Sequence, residues 1–286
     1  MSDLAARMPA TVAGLGDPIG RGRTAEVFAY GDGEVVKLIW PNFPDRLGES
    51  EAEVAALVAR AGVAAPAFMG TTRIEGRIGL VYERLEGASM LDRMSRRPWE
   101  IDRLARRLAD LHAAMHDAAG SGLPDQKESL RSAIHRAAAH LPDGARGAAL
   151  ARLDGLPAGA AICHGDMHPG NVLMSPTGAV VIDWMTASCG SPAGDVARTV
   201  LLLRDSGVPA HMPAAERVLT ALLRKRLAHV YLQRYRRLRA LDLRELAAWR
   251  LPILSARLAE EIEAERPALQ AMIRRELQSA PSSPPG

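Results

Sequence analysis

Two neighbouring stretches, His164-Gly165-Asp166-Met167-His168-Pro169-Gly170-Asn171 and Val180-Val181-Ile182-Asp183-Trp184, concentrate side chains able to do chemistry. A turn-forming Pro169-Gly170 pair separates Asp166 from Asn171, and Asp183 ends an apolar strand. A compact strand-loop-strand over that spacing brings the Asn171 amide oxygen and the Asp183 carboxylate to one hard cation, with Asp166 directed toward an incoming nucleophile. Magnesium suits so sparse a ligand set, because it completes its octahedron with water and substrate phosphate oxygens. The histidines do not require zinc: His164 and His168 read as hydrogen-bonding supports of the loop rather than proton-transfer groups.

The nucleotide half of such a site should lie upstream. The stretch Gly20-Arg21-Gly22-Arg23-Thr24-Ala25-Glu26-Val27 matches a phosphate-covering G-x-G-x-x-G-x-V loop at Gly20, Gly22 and Val27, with Ala25 in place of the third glycine. A strand rather than a helix follows the glycines, which disfavours a dinucleotide-binding unit. Lys37 lies in an apolar strand, where a lysine must point outward or meet an anion. Glu51 is the preferred partner, since positions 51, 54 and 58 share a helix face that would pack on the sheet; Glu53 is second.

These residues need a scaffold. Alternation and turn signals predict a strand before the glycines, strands over 26–30 and 35–40, and a further pair over 67–74 and 77–82 joined at Glu75-Gly76. A helix over 49–62 interrupts them, with Glu49 or Ser50 near its N-cap and Gly62 as its stop. Beyond a connector near residue 85, helical periodicity takes over: Ile101, Leu104, Leu108, Leu111 and Met115 share one face, and helices are expected over 125–153, 195–205, 214–239 and 243–277, with Pro252 and Pro267 as kinks or breaks. The division expected is a nucleotide-binding lobe at 1–84, a catalytic and substrate-binding lobe at 85–278, and a disordered tail at 279–286.

Composition sets limits on function. The 286 residues are 48% hydrophobic and 24% charged, as in a globular protein able to bury a core. Aromatic residues make up only 4%, so the core is expected to rest on aliphatic side chains. A net charge of +3 is too weak a bias to indicate nucleic acid, and no apolar run is long enough to span a membrane. Cys163 and Cys189 offer no disulfide framework, and no secretory leader is legible, so a cytoplasmic protein with two thiols is expected. The basic run at 234–239 reads as a solvated helix face. His112, beside an apolar stripe, reads as a satisfied core histidine, Asp195 as the cap of a helix, and Trp184 as packing beneath the loop.

Taken in order, the glycine loop, strand lysine, helix glutamate, the Tyr82-Glu83-Arg84-Leu85-Glu86-Gly87 connector, H-G-D-x-H-x-x-N and I-D-W resemble the aminoglycoside phosphotransferase and choline kinase-like family of small-molecule kinases. The resemblance runs from about residue 14 to 270 and is most specific over 162–198. It implies an α+β, protein kinase-like bilobal fold: an N-terminal antiparallel sheet with one helix, then a mainly helical lobe. It further implies ATP and Mg as cofactors, with Gly20 and Gly22 covering the phosphates and Lys37 contacting them while paired with Glu51. The backbone of Glu83 and Leu85 would meet the adenine edge, Asn171 and Asp183 would hold magnesium, and Asp166 would accept or orient the proton of a substrate hydroxyl. Asp195 would brace the catalytic loop. The acceptor would be a hydroxyl of a small molecule, antibiotic or metabolite. Carboxylates in 258–265 and near Asp205 and Glu216 could line a pocket for a cationic acceptor or simply be solvated. A protein kinase is disfavoured, because the eleven residues between Asp183 and Asp195 leave no room for a peptide-docking segment. A nucleotide-binding pseudokinase is the alternative.

Overall fold

The computed structural model describes residues 11–205 and 212–279. In chain order the elements begin with β1 (Gly20–Arg21), β2 (Ala25–Tyr30), β3 (Glu34–Ile39), α1 (Asp45–Arg60), β4 (Phe68–Ile74), β5 (Arg77–Glu83) and β6 (Ala88–Ser89). There follow α2 (Met90–Arg96), α3 (Ile101–Met115), α4 (Gln126–Arg136), α5 (Ala145–Gly155), β7 (Ala161–Cys163), β8 (Val172–Ser175), β9 (Gly178–Val181) and β10 (Ser188–Gly190). The last helices are α6 (Pro192–Asp205), α7 (Ala214–Leu238), α8 (Leu243–Ala248), α9 (Arg250–Arg257) and α10 (Arg266–Ser279). This is the expected α+β class. Two compact units result: one takes in residues up to Arg93 together with Gly170–Met185, the other Met94–Pro169 together with the chain from Thr186 on. The expected tail lies, from residue 280, outside the described residues.

In the first unit the strands form an antiparallel sheet of order β1-β2-β3-β5-β4. Glu75 and Gly76 both take positive φ, 49° and 80°, which is the primed turn that a two-residue hairpin between β4 and β5 requires. One apolar cluster gathers Phe28, Tyr30, Val36, Leu38 and Ile74, and a second joins Ala25, Ile39 and Leu80 to Leu47 and Ala52 of α1. Gly20, Val27, Lys37 and Leu80 are successive register partners, so they line one row across four strands.

Helix α1 starts at Asp45, a turn before the sequence signals placed it. The expected cap at Glu49 or Ser50 lies inside the helix, because Gly48 does not break it but permits close approach to the sheet. A Cβ at Gly48 would stand 2.8 Å from Ile78 Cγ2 and 3.3 Å from Ile39 Cγ1. Gly48→Ala should therefore lower the melting temperature despite a better helix former: overpacking costs about 1–3 kcal/mol against a propensity gain of about 1 kcal/mol. An unchanged or raised midpoint in thermal denaturation would contradict this packing. The helix ends as expected, with Gly62 at φ +70° just beyond Ala61.

In the second unit α3 packs along α7. Asp102, Asp110 and Asp117 meet Arg226, Arg234 and Arg239, the first at 2.8 Å and the second at 2.6 Å. The basic run at 234–239 is thus partly paired rather than simply solvated, though exposed ion pairs of this kind are worth at most about 1 kcal/mol each. The scarce rings are not peripheral: Trp249, Tyr231 and Tyr235 are among the largest fully buried side chains. Pro252 and Pro267 stand in the first turns of α9 and α10, where a missing N–H costs nothing, so the breaks precede them. Among the described residues no helix is long and apolar enough to cross a membrane.

Candidate active site

Lys37, Glu51 and Asp183 meet within the first unit. The Lys37 ammonium donates to Glu51 Oε1 at 2.6 Å and to Asp183 Oδ1 at 2.8 Å, although 146 positions separate Lys37 from Asp183. Strand β3 presents the lysine, and the buried face of α1, with Val54, Ala55 and Val58, presents Glu51. Burial opposes the lysine charge, but the Glu51 and Asp183 carboxylates outweigh it and hold the ammonium above its ordinary value. Burial pushes the Glu51 carboxyl up against the pull of Lys37. Glu53, the second choice, has no part in this contact.

The β8–β9 hairpin sets Asn171 beside Asp183. Val172 pairs with Val181, and one step beyond the ladder the Asn171 carbonyl accepts from the Ile182 N–H at 2.9 Å. Asp183 follows with φ 63°, a left-handed conformation that aspartate tolerates better than most residues and that turns its carboxylate out of the strand direction. The Asp183 side chain is 42% exposed, whereas Asn171 is buried. One carboxylate and one amide at the mouth of a hairpin form a hard-oxygen set that fits magnesium. Trp184 is buried as expected, its indole N–H on the Val181 carbonyl at 2.9 Å.

Gly20 lies in β1 opposite Val27, and Gly22 opens the tight turn into β2, its N–H donating to the Ala25 carbonyl at 2.8 Å. A Cβ at either glycine would meet only ordinary contacts at 3.5 Å or more, so packing within the protein does not demand glycine there. The Glu83 N–H is engaged by the Ala67 carbonyl at 2.9 Å, which leaves the Glu83 carbonyl as its backbone group for a ligand. Leu85 follows in the connector after β5, and the Arg84 N–H between them is bonded to the Gly33 carbonyl.

Asp166 belongs to the second unit, in the loop after β7. His168 Nε2 lies 3.4 Å from its Oδ2 and Arg198 Nη2 3.5 Å from its Oδ1. Burial alone would raise this carboxyl, yet His168, Arg198 and His164 hold it well below the usual carboxylate range. His168 therefore touches the carboxylate rather than only supporting the loop. Arg198 also donates to the Gly165 carbonyl at 3.2 Å and to Glu260 at 2.5 Å. Arg257 binds Glu260 and, at 3.0 Å, Glu265, so the inward carboxylates of 258–265 are already paired with arginines.

The loop backbone is held at every polar group of His164 and Gly165. Their N–H groups donate to Asp195, at 2.5 and 2.9 Å, and their carbonyls accept from Thr186 Oγ1 and Arg198. The Asp166 N–H donates to His164 Nδ1 at 3.2 Å. Asp195 is the fourth residue of α6 and fully buried, and its carboxylate braces this loop instead of capping its own helix. It also accepts from His112 and His116, which in turn meet Tyr231 and Tyr235. His112 is the satisfied core histidine expected. Arg198, His116 and the two tyrosines were not singled out by sequence; the four-residue spacing of His112/His116 and of Tyr231/Tyr235 was the signal for all but Arg198. Cys163 is buried, which pushes its thiol up, and both cysteines are free.

A profile of the phosphotransferase enzyme family matches residues 16–241. No curated protein matches the sequence. The fold is similar to a thermostable mutant of aminoglycoside phosphotransferase APH(4)-Ia in ternary complex with ADP and hygromycin B, with a TM-score of 0.66 at 16% identity over 93% of this chain and 94% of that one. It is also similar to the amicoumacin kinase hAmiN in complex with AMP-PNP, Ca2+ and Ami, with a TM-score of 0.61 at 14% identity over 96% and 92% of the two chains. Choline kinase from Cryptosporidium parvum Iowa II gives 0.55 at 11% identity over 92% and 88%. At such identities the structural likeness speaks to the fold, and the profile, spanning most of the sequence, speaks to descent: the chain belongs to the phosphotransferase enzyme family.

Proposed function

We propose that the protein moves the γ-phosphate of ATP to a hydroxyl of a small molecule in a magnesium-dependent reaction, acting in the cytoplasm where ATP is supplied. The observation that carries this reading is the Lys37 ammonium held between Glu51 and Asp183. A lysine fixed by a buried glutamate is placed to meet phosphate oxygens, and a carboxylate beside it to meet their metal. Gly20 and Gly22, which the fold itself does not require, allow the backbone to approach the phosphates closely. The Glu83 carbonyl and the Leu85 backbone are the groups for an adenine edge. Asn171 and Asp183 would hold magnesium, which when bound neutralises charge on the transferring phosphoryl group.

Asp166 is assigned to the acceptor hydroxyl. A carboxylate kept so firmly ionised is a weak base, so its part is to accept the hydroxyl hydrogen bond and orient the oxygen for in-line attack, taking the proton late. In a loose transition state, positioning and charge neutralisation supply most of the acceleration, which is what this set of residues can give.

The acceptor reading covers aminoglycoside-like antibiotics and hydroxylated metabolites, in keeping with the hygromycin B, amicoumacin and choline of the similar structures' names. A panel of such compounds incubated with the protein and Mg-ATP, followed by phosphorus NMR, is expected to show ADP and a new phosphate monoester, both lost with EDTA. Nucleotide binding without transfer to any acceptor, water included, would replace the proposal with a pseudokinase. Labelling of peptides in preference to small hydroxyl compounds would replace it with a protein kinase.

A further inference from the structure

Behind the catalytic loop, two helices each contribute a pair of side chains four residues apart. His112 lies in α3 and His116 one residue past its end, while Tyr231 and Tyr235 lie in α7; all four are buried. His112 Nδ1 is 2.6 Å from the Tyr231 hydroxyl and His112 Nε2 is 3.0 Å from Asp195 Oδ2. His116 Nδ1 is 2.7 Å from the Tyr235 hydroxyl and His116 Nε2 is 3.3 Å from the same oxygen. The two imidazole centroids are 4.3 Å apart.

For two neutral rings, one placement of hydrogens satisfies all of these contacts. An ionised carboxylate only accepts, so each Nε2 must carry its hydrogen. A neutral imidazole has a single N–H, so each Nδ1 is an acceptor and each tyrosine hydroxyl must donate to it. Two imidazolium rings in contact and buried would repel each other and forgo hydration. At His116, burial and the neighbouring His112 take the ring down to about 4, against the pull of Asp195. Despite its own burial, Asp195 is held far below the carboxylate range by the two histidines. Among the described residues, Arg239, near Tyr235, and Cys163, near Asp195 and Tyr235, are further titratable groups facing the cluster.

We propose that Tyr231 and Tyr235 are positioning residues for phosphoryl transfer, acting through His112 and His116. By donating to Nδ1, each tyrosine locks its histidine in the Nε2–H form, the form that delivers a hydrogen to Asp195. Asp195 so held is free to take the His164 and Gly165 N–H groups and fix the backbone that carries Asp166. The role in transfer rests on the assignment of Asp166 above; the hydrogen placement does not.

Nitrogen-15 NMR of the imidazoles in the full chain tests the placement without any turnover. Both rings are expected to carry hydrogen on Nε2, with Nδ1 accepting from the tyrosine hydroxyl. Either ring found in the Nδ1–H form or protonated overturns the proposal, as does zinc retained at one ion per chain, since the same nitrogens and carboxylate oxygen lie close enough together to ligate one. The Tyr231→Phe/Tyr235→Phe double variant tests the consequence. Freed Nδ1 atoms can then take up the hydrogen, and kcat for transfer, to an acceptor or to water, is expected to fall about tenfold or more with the KM for ATP unchanged. His116→Gln, whose amide can still donate to Asp195, should keep more of kcat than His116→Ala at equal melting temperature. Unchanged kcat in the double variant, or equal losses in the two His116 variants, would overturn the positioning role. A wild type with the expected tautomers and no transfer to any acceptor would instead fault the assignment of Asp166 and the kinase reading.

Discussion

Asp166→Asn is expected to lower kcat for phosphoryl transfer by about 100- to 10,000-fold, the range for loss of a positioned acid-base group, while ATP affinity stays within a fewfold of wild type. Asparagine preserves the shape of the side chain but removes the negative charge facing His168 and Arg198 and turns an acceptor into a mixed donor and acceptor. Lys37, Glu51 and Asp183, which the proposal assigns to the nucleotide, are untouched, which is why binding should survive. Single-turnover kinetics beside calorimetric titration with ATP separates the two effects; equal losses in both would remove Asp166 from the chemical step. Its depressed pKa fixes the sign of the pH dependence as well. The carboxylate is charged throughout the neutral and mildly acidic range and loses its charge only as pH falls through a value below the ordinary one of about 3.9. The acid limb of a kcat profile above that value must therefore belong to another group. Arg198→Gln should move the Asp166 limb upward.

Lys37→Met should be costly twice over. Removing an ammonium that would neutralise phosphate charge is expected to cost about 100- to 1,000-fold in kcat/KM for ATP. It also strands Glu51, whose side chain is 2% exposed, and loosens the more exposed Asp183. Leaving one member of a buried pair unpartnered destabilises by about 3–5 kcal/mol, read as a lowered melting temperature. Adding Glu51→Gln to Lys37→Met should recover part of that temperature, since the stranded group is then neutral, but none of the activity. Recovery of both would make the lysine merely structural. The raised pKa of Lys37 means its stabilising charge is fully present below the unfolded value of about 10.4 and is lost only as pH rises through the folded one, so neutral-range measurements compare like with like.

What was legible in the sequence was whatever a short-range pattern enforces. Alternation locates β2 to β5 to within a residue or two, whereas β1 takes in Gly20 rather than preceding the glycines; the Glu75-Gly76 turn follows from its residue types, and helix periodicity favours Glu51 over Glu53. Asn171 and Asp183 could be paired because a hairpin joins them. Gly48 was opaque, since its purpose is the approach of Ile78, a residue thirty positions away. Arg198, His116, Tyr231 and Tyr235 were missed for the same reason: each matters through partners far off in sequence, on the catalytic loop or on other helices, and a helical period reports which face is buried, not which polar group waits there. The charge of 258–265 was read as open to solvent or to a ligand because Arg198 and Arg257 could not be set against Glu260 and Glu265 from sequence alone.

The way the polypeptide is routed has a consequence during synthesis. The first unit is left at Arg93 and entered again only for Gly170–Met185, which supplies the strand opposite β6 and the carboxylate on Lys37. A ribosome working at roughly 5–20 residues per second needs about 5–20 seconds to get from one to the other. Throughout that interval Lys37 and Glu51 have been synthesised, while the hairpin that brings Asp183 to the lysine has not. A fragment ending at the connector would lack the hairpin of the first unit and the carboxylate on Lys37.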